Sequence, residues 1–335
     1  MHRRFVYALS ACSLGFALPS MGFSSLAAQQ LSELTVSEAN AQMDLWLRPY
    51  RRPDDNYTNG TQILAVLGGA PIWGKLLARS ATACNVPHAA DRACTSTDLQ
   101  LAQDMYTPTS ARSSAEPIVG ERPYAGWLYA SATGRVATAT RSDAVTLELG
   151  VTGTPSLAEK VQTAWHSLIR YQRALGWSHQ IPFTPGILVG YEHDAQPFGA
   201  RIGGGQVLSI MPHVGATAGN VLTGATAGVD ARFGYHVTTP WASGPGRPAD
   251  HVAVYGLSAV RADWVGYDLF LDRPTSNPTE YVSKLPWVGQ YEFGGGLRLW
   301  TWQVEYRAVT RTREYVTGRT VEPYSVISVS WRGVS

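Results

Sequence analysis

Charged residues make up only 16% of this chain, and its cysteines number three. Past the first two dozen positions there is no apolar run of the roughly 18 residues that a membrane-spanning helix requires. A net charge of +2 comes with no basic stripe for nucleic acid and no acidic tail. Glycine-rich phosphate loops, paired zinc-type histidines and a GxSxG elbow are all missing, which removes the enzyme classes those signatures announce. Phenylalanine is scarce too, at 8 against 16 tyrosines and 11 tryptophans. Rings with one polar end are favoured where hydrocarbon meets water.

The 33 glycines and 20 prolines describe a turn-rich, strand-rich chain. Composition alone fits a soluble all-β protein with a large aromatic core as well as it fits a membrane barrel. The N-terminus narrows the choice. Met1-His-Arg-Arg4 precedes an apolar stretch from Phe5 to Phe23 and the small residues Ser25, Ala27 and Ala28, the layout of a secretory signal. We read 1–28 as signal peptide and 29–335 as one mature domain. Leu9-Ser-Ala-Cys12 imitates a lipoprotein box, but cleavage there would leave an apolar region of only about seven residues. The mature chain then keeps Cys84 and Cys94, an even pair expected to close one loop as a disulfide in an oxidising compartment.

Alternation decides between the two all-β readings. From Trp287 to Leu299, Trp287, Gly289, Tyr291, Phe293, Leu297 and Leu299 share one face, and Gln290, Glu292 and Arg298 share the other. The next segment puts Trp302, Val304, Tyr306 and Ala308 opposite Gln303, Glu305, Arg307 and Arg311. A soluble sandwich should keep its inner face dry. A transmembrane barrel has apolar residues outside and polar ones in its lumen. The expected fold is all-β, a 12-stranded antiparallel transmembrane β-barrel with a short helix in an extracellular loop. Its strands fall near 35–46, 57–69, 98–107, 124–138, 144–153, 184–194, 206–219, 222–236, 252–270, 287–299, 301–312 and 322–331. With both ends periplasmic, 47–56, 108–123, 154–183, 271–286 and 313–321 face outside, together with a tight turn at Gly219-Asn220. The long connections 70–97 and 237–251 are then periplasmic.

The helix is expected over 156–176. Ser156 and Glu159 have the spacing of a capping box, and Gly176 suits a left-handed C-terminal cap. It carries His166, with Gln162 one turn before and Arg170 one turn after, beside an apolar line of Leu157, Val161, Trp165, Leu168 and Leu175. A lone histidine is more often structural than catalytic. Its place at the outer end of the strands favours function, since imidazole moves protons near neutral pH. Asn59-Gly60, preceded by Asp54 and Asp55, reads on its own as a turn with a capping acid, and 120–127 as a loop-to-strand junction.

Taken in order, several short motifs resemble the lipid A deacylase family of outer-membrane barrels. They are Tyr57-Thr-Asn-Gly60, Gln103-Asp-Met-Tyr-Thr-Pro108, Glu121-Arg-Pro-Tyr-Ala-Gly126, Glu148-Leu-Gly150, Val161-Gln162 through His166, and Gly176-Trp177 with Gln180. Pro212-His-Val-Gly215, Gly219-Asn220, Asp268-Leu-Phe-Leu271, Thr312-Arg-Glu314 and the last strand continue the series.

The resemblance implies removal of the 3'-linked acyloxyacyl group of lipid A at a calcium-dependent site at the outer-leaflet end of a twelve-stranded barrel. His166 matches the general base and Thr58 the threonine beside it. The family's Asn-Asp pair on the first strand falls at Asn40-Ala41 if Trp46 is the anchor, or at Met43-Asp44 after a slide of three residues. Asn40 and Asp44 are therefore the expected metal ligands and catalytic partners. The family's site lysine falls at Ser113, with Arg112 adjacent as a cation for a lipid A phosphate, and a site glutamate falls at Gln172. Gln162 is expected to orient the histidine or touch substrate. The implied partners are lipopolysaccharide in the outer leaflet and the outer-membrane assembly machinery, with the chain acting as a monomer and no nucleic acid bound. Changes at the Asp, Lys and Glu positions also fit a catalytically diverged barrel that binds lipopolysaccharide or is structural.

Overall fold

Period-two segments close into a single antiparallel barrel of twelve long strands. The structure is a computed structural model that describes residues 31–43, 56–69, 82–83, 93–111, 113–196, 198–203, 205–237, 252–272 and 282–332. The signal segment, Asp44, Arg112 and Cys84 lie outside these. The strands are β1 (Leu31–Asn40), β2 (Asn56–Gly68), β3 (Cys94–Thr107), β4 (Ala125–Ala137), β5 (Arg141–Thr152), β6 (Pro185–Ala195), β7 (Gly205–Gly219), β8 (Leu222–Tyr235), β9 (Val252–Asp268), β10 (Trp287–Leu299), β11 (Trp302–Thr312) and β12 (Val321–Arg332). Each pairs with its chain neighbours, and β12 returns to β1 from Glu33↔Arg332 to Asn40↔Ser325. Closure gives each of the twelve long strands a partner on both sides among the described residues. Two short strands, 82–83 and 198–202, pair with β3 and β7.

The expected faces are the observed ones. Leu101, Ile63, Val36, Trp302 and Val304 are exposed on the outer wall, while Glu305 and Arg298 are buried. Charges inside need partners because the lumen screens them poorly. Arg307 accordingly lies 2.9 Å from Glu292 and 2.6 Å from Glu305, and the Tyr255 hydroxyl donates to Glu305 at 2.6 Å. Two lumenal cavities of about 420 and 440 Å³ meet at Arg261 and Thr226, which line both.

Several boundaries differ from expectation. β1 ends at Asn40 rather than at 46, passing into a 3₁₀ turn over Ala41–Met43. β3 starts at Cys94, which is disulfide-bonded. β9 stops at Asp268, where the short helix α2 (Leu269–Asp272) begins. Asn59-Gly60 is not a turn. It lies inside β2, where the missing Cβ leaves room for the Tyr57 ring, whose hydroxyl donates to Asp104 at 2.9 Å.

The helix is half the expected length. A 3₁₀ turn at Thr154–Ser156 leads to α1 (Ala158–Leu168), whose cap is Leu157 in the left-handed region (φ 61°), not Ser156 in a capping box. Its end is a Schellman motif set around Arg170 (φ 56°) instead of Gly176. Tyr171 N–H reaches the His166 carbonyl at 2.7 Å, and Arg170 N–H reaches that of Ser167 at 3.4 Å. Periodicity alone would carry the helix on to Gly176; the backbone turns back well before it, at Arg170.

Candidate active site

The ends of β3 and β4 form a wall against which α1 lies. Gly126 on β4 makes the close approach possible, since a methyl group there would overlap the Ser156 hydroxyl and the Ala158 Cβ. Gln103 on β3 donates its side-chain amide to the Ser156 carbonyl. Met105, Ala111, Tyr124, Ala158 and Trp177 fill the seam.

This docking inverts the usual amphipathic logic. Ala158, Gln162 and His166 are buried, at 1%, 5% and 5% exposure, whereas Val161, Trp165 and Leu168 are 42%, 50% and 74% exposed. A helix on a water-soluble core would bury its apolar stripe. Here the histidine faces protein and the apolar stripe faces away.

His166 is held from its own chain. Nδ1 lies 2.8 Å from the backbone carbonyl of Gln172. A carbonyl can only accept, so Nδ1 carries the hydrogen and Nε2 is the basic nitrogen of the neutral ring. The Tyr171 ring meets the imidazole edge-on, with centroids 5.1 Å apart. Tyr171 also ties His166 to β1, because Gln42 Nε2 donates to its hydroxyl at 3.1 Å and Gln42 N–H donates to Asn40 Oδ1 at 2.7 Å.

Thr58 is placed by a β-bulge. Tyr57 pairs with Tyr106 and Asn59 with Met105, which leaves Thr58 as the extra residue. A bulge re-aims a side chain, and the Thr58 hydroxyl shares a 2.6 Å hydrogen bond with that of Thr107 on β3. Of the expected residues, Asn40 pairs with Asn59, next to Thr58, and His166 reaches Asn40 through Tyr171 and Gln42, with Gln162 one turn before it on α1. Gln162 Oε1 accepts from Trp177 Nε1 at 2.6 Å, while the contact that holds the His166 ring comes from the Gln172 carbonyl. Ser113 is exposed in the 108–124 loop and donates to the Ser110 carbonyl at 3.1 Å.

Residue-type reasoning missed the scaffold that pins the outer loops. Arg122 is 2% exposed, reaches Glu314 at 3.0 Å and stacks 4.3 Å over Tyr106. Arg311 contacts the other oxygen of Glu314 at 2.9 Å. Burial alone would raise the Glu314 carboxyl, but Arg311 and Arg122 hold it below the ordinary glutamate value. Glu121 accepts from Ser110 N–H and hydroxyl at 3.0 and 2.6 Å. The Tyr124 hydroxyl bridges the Ala111 carbonyl and Gly176 N–H, each at 3.1 Å. The segment 121–126, legible in sequence only as part of a motif, therefore organises the whole loop.

A closed twelve-stranded barrel with charged residues inside, an aromatic and aliphatic wall outside and a histidine-bearing helix at one rim defines an outer-membrane barrel. The family model for "Outer membrane protein LpxR" matches residues 10–333, and the chain belongs to that family of lipid A-modifying barrels. LpxR from Salmonella typhimurium superposes with a TM-score of 0.72 at 18% identity, covering 90% of this chain and 100% of that one. The β domain of the Bordetella autotransporter BrkA gives a TM-score of 0.45 at 9% identity, covering 90% of this chain and 99% of the other. No curated protein sequence matches the chain.

Proposed function

We propose that this chain hydrolyses the 3'-linked acyloxyacyl ester of lipid A in the outer leaflet, with His166 as general base. The observation that carries the reading is the 2.8 Å contact between His166 Nδ1 and the Gln172 carbonyl, which reserves Nε2 for accepting a proton. Nε2 takes a proton from water as the water oxygen attacks the ester carbonyl carbon. The tetrahedral intermediate then expels the sugar alkoxide, which leaves with the proton returned by the imidazolium. The exposed stripe of Val161, Trp165 and Leu168 beside His166 suits the acyl chains of such a substrate. Arg112 would meet a phosphate, for which its planar guanidinium is suited.

The family resemblance also implies calcium. Asn40 and Thr58 offer the hard oxygen donors that calcium prefers, and Asn40 Oδ1 keeps a second lone pair beyond the one used by Gln42 N–H. Asn40, with Asp44, would hold the ion. When bound, it would supply positive charge where the carbonyl oxygen becomes negative.

A second reading, a barrel that binds lipopolysaccharide without cleaving it, is favoured by Ser113 and Gln172 standing where the family pattern has lysine and glutamate. Mass spectrometry of lipid A from cells with and without the chain separates the two. Hydrolysis removes the mass of the 3'-linked acyloxyacyl group, and His166→Ala should restore the full mass while the barrel stays folded. Unchanged lipid A in cells making the wild-type chain would overturn the hydrolytic reading.

A further inference from the structure

β5 starts at the rim opposite α1, since it runs from Arg141 to Thr152 and then through the 3₁₀ turn into the helix. Its 12 residues, at about 3.3 Å each and a tilt of about 40°, rise roughly 30 Å, the thickness of a bilayer's hydrocarbon core. With α1 at the outer-leaflet rim, Arg141 stands at the periplasmic one. The lipid-facing wall changes character along the way. β5 and β6 pair Leu147 with Val189, Val145 with Tyr191 and Asp143 with His193, so aliphatic side chains give way to a phenol, an acid and an imidazole as the rim is approached. Exposed Arg141 completes the row. A charge this close to the interface costs little, so Arg141 alone points to nothing. The acid two residues further in is held in a fixed pose. Asp143 Oδ1 accepts from the Tyr191 hydroxyl and from His193 Nδ1, both at 2.8 Å. Both donors converge on one oxygen, and with Nδ1 carrying the hydrogen the neutral ring keeps Nε2 as an acceptor. Asp143 Oδ2 and His193 Nε2 have no partner among the described residues, and neither atom is buried. The Arg141 guanidinium makes no ion pair with a described residue.

We propose that this patch seats the headgroup of a phosphatidylethanolamine molecule from the periplasmic leaflet. The phosphate meets Arg141, whose guanidinium suits phosphate oxygens. The primary ammonium donates to Asp143 Oδ2 and His193 Nε2. Same-face neighbours on a strand lie about 6–7 Å apart, a span that the two-carbon link between phosphate and amine matches. Further up the wall, Tyr191, Leu147 and Val189 are exposed where the glycerol and acyl chains continue. A carboxylate on this face disfavours an anionic headgroup, and a quaternary ammonium has no N–H to give. Ethanolamine satisfies both conditions. The site lies at the far end of the strands from His166 and does not depend on the hydrolytic reading.

The test is native mass spectrometry of the folded full chain in a non-ionic detergent, titrated in turn with the dioleoyl forms of phosphatidylethanolamine, phosphatidylcholine and phosphatidylglycerol. Wild type and Glu159→Gln, an exposed carboxylate on α1, should bind the ethanolamine lipid alike and at least fivefold more tightly than either of the others. Arg141→Gln and Asp143→Asn should each weaken that binding at least fivefold, and Asp143→Asn should also narrow the gap to phosphatidylglycerol by removing the repelling charge. The characteristic gel mobility of the folded barrel checks each variant, and Arg141→Gln, beside the turn, keeps the question decidable if Asp143→Asn does not fold. Equal or tighter binding of either other lipid by wild type would overturn the site. So would a folded Arg141→Gln or Asp143→Asn variant that keeps the wild-type affinity for the ethanolamine lipid.

Discussion

The imidazole of His166 and the carbonyl of Gln172 meet at 2.8 Å across a turn that only a left-handed residue can make, and that residue is Arg170. Reversal at Arg170 brings Tyr171 N–H onto the His166 carbonyl and, one residue later, the Gln172 carbonyl onto the His166 ring. The tautomer of the proposed base is thus set by backbone conformation.

A non-glycine residue in this conformation costs roughly 1–2 kcal/mol. Arg170→Gly should therefore keep the turn and stabilise it, by up to about 1 kcal/mol once the greater freedom of the unfolded chain is counted. Arg170→Val, β-branched and a poor fit at positive φ, should open it. Hydrogen exchange at the Tyr171 amide reads the turn directly. Protection should hold in the first variant and fall in the second, with kcat falling alongside it and KM little changed.

Gly126 makes a separate test of helix placement. Gly126→Ala sets a methyl group against Ser156 and Ala158, so α1 must move off the wall while the ladder between β4 and its neighbours is kept. The expected result is a barrel of normal gel mobility with strongly reduced deacylation. At Gly190 on β6 an added methyl group would meet only ordinary contacts, the nearest at 3.6 Å, and Gly190→Ala should leave activity intact.

What could be read from residues alone follows from where the physics is local. Alternation in 287–299 and 301–312 put Glu305 and Arg307 in the lumen because strand period and burial are properties of neighbouring residues. His166 could be singled out for the same reason, as a titrating group on an amphipathic segment. The end of α1 could not, since nothing in Arg170 or Leu157 advertises positive φ, and glycine at 176 offered a more ordinary cap. The bulge at Thr58 and the pairing of Asp143 with His193 depend on register between strands. Register is a property of two segments at once, and β-branched or polar composition in either does not specify it.

Acid should loosen the outer loops through Glu314. Its carboxyl lies below the ordinary value in the folded chain because of Arg311 and Arg122, so its contribution is fully present above the unfolded value near 4.5. The contribution is lost progressively as pH falls from that value through the depressed folded one. Glu314→Gln leaves the buried Arg122 without its counter-charge, a change that typically costs about 3–5 kcal/mol. Denaturant midpoints followed by tryptophan fluorescence should show a wide gap between wild type and variant at neutral pH. That gap should shrink as pH falls below the ordinary glutamate value; a gap independent of pH would mean that the charge on Glu314 is not what holds the loops.

Thr58 and Thr107 separate a structural hydroxyl from a working one. Each is buried and each has the other as its partner, at 2.6 Å, so Thr58→Val and Thr107→Val strand the same kind of group. Either single change should cost about 1–3 kcal/mol of stability, while replacing both removes the unsatisfied hydroxyl and should recover most of that loss. Activity should not follow the same arithmetic if Thr58 serves the reaction from its bulge. Thr58→Val and the double variant should then be impaired alike, by about tenfold or more, the scale of one lost hydrogen bond in the transition state, with Thr107→Val much closer to wild type. Equal activities for the two single variants, rescued together with stability in the double, would make Thr58 a packing residue of the wall and leave the chemistry to His166 and Asn40.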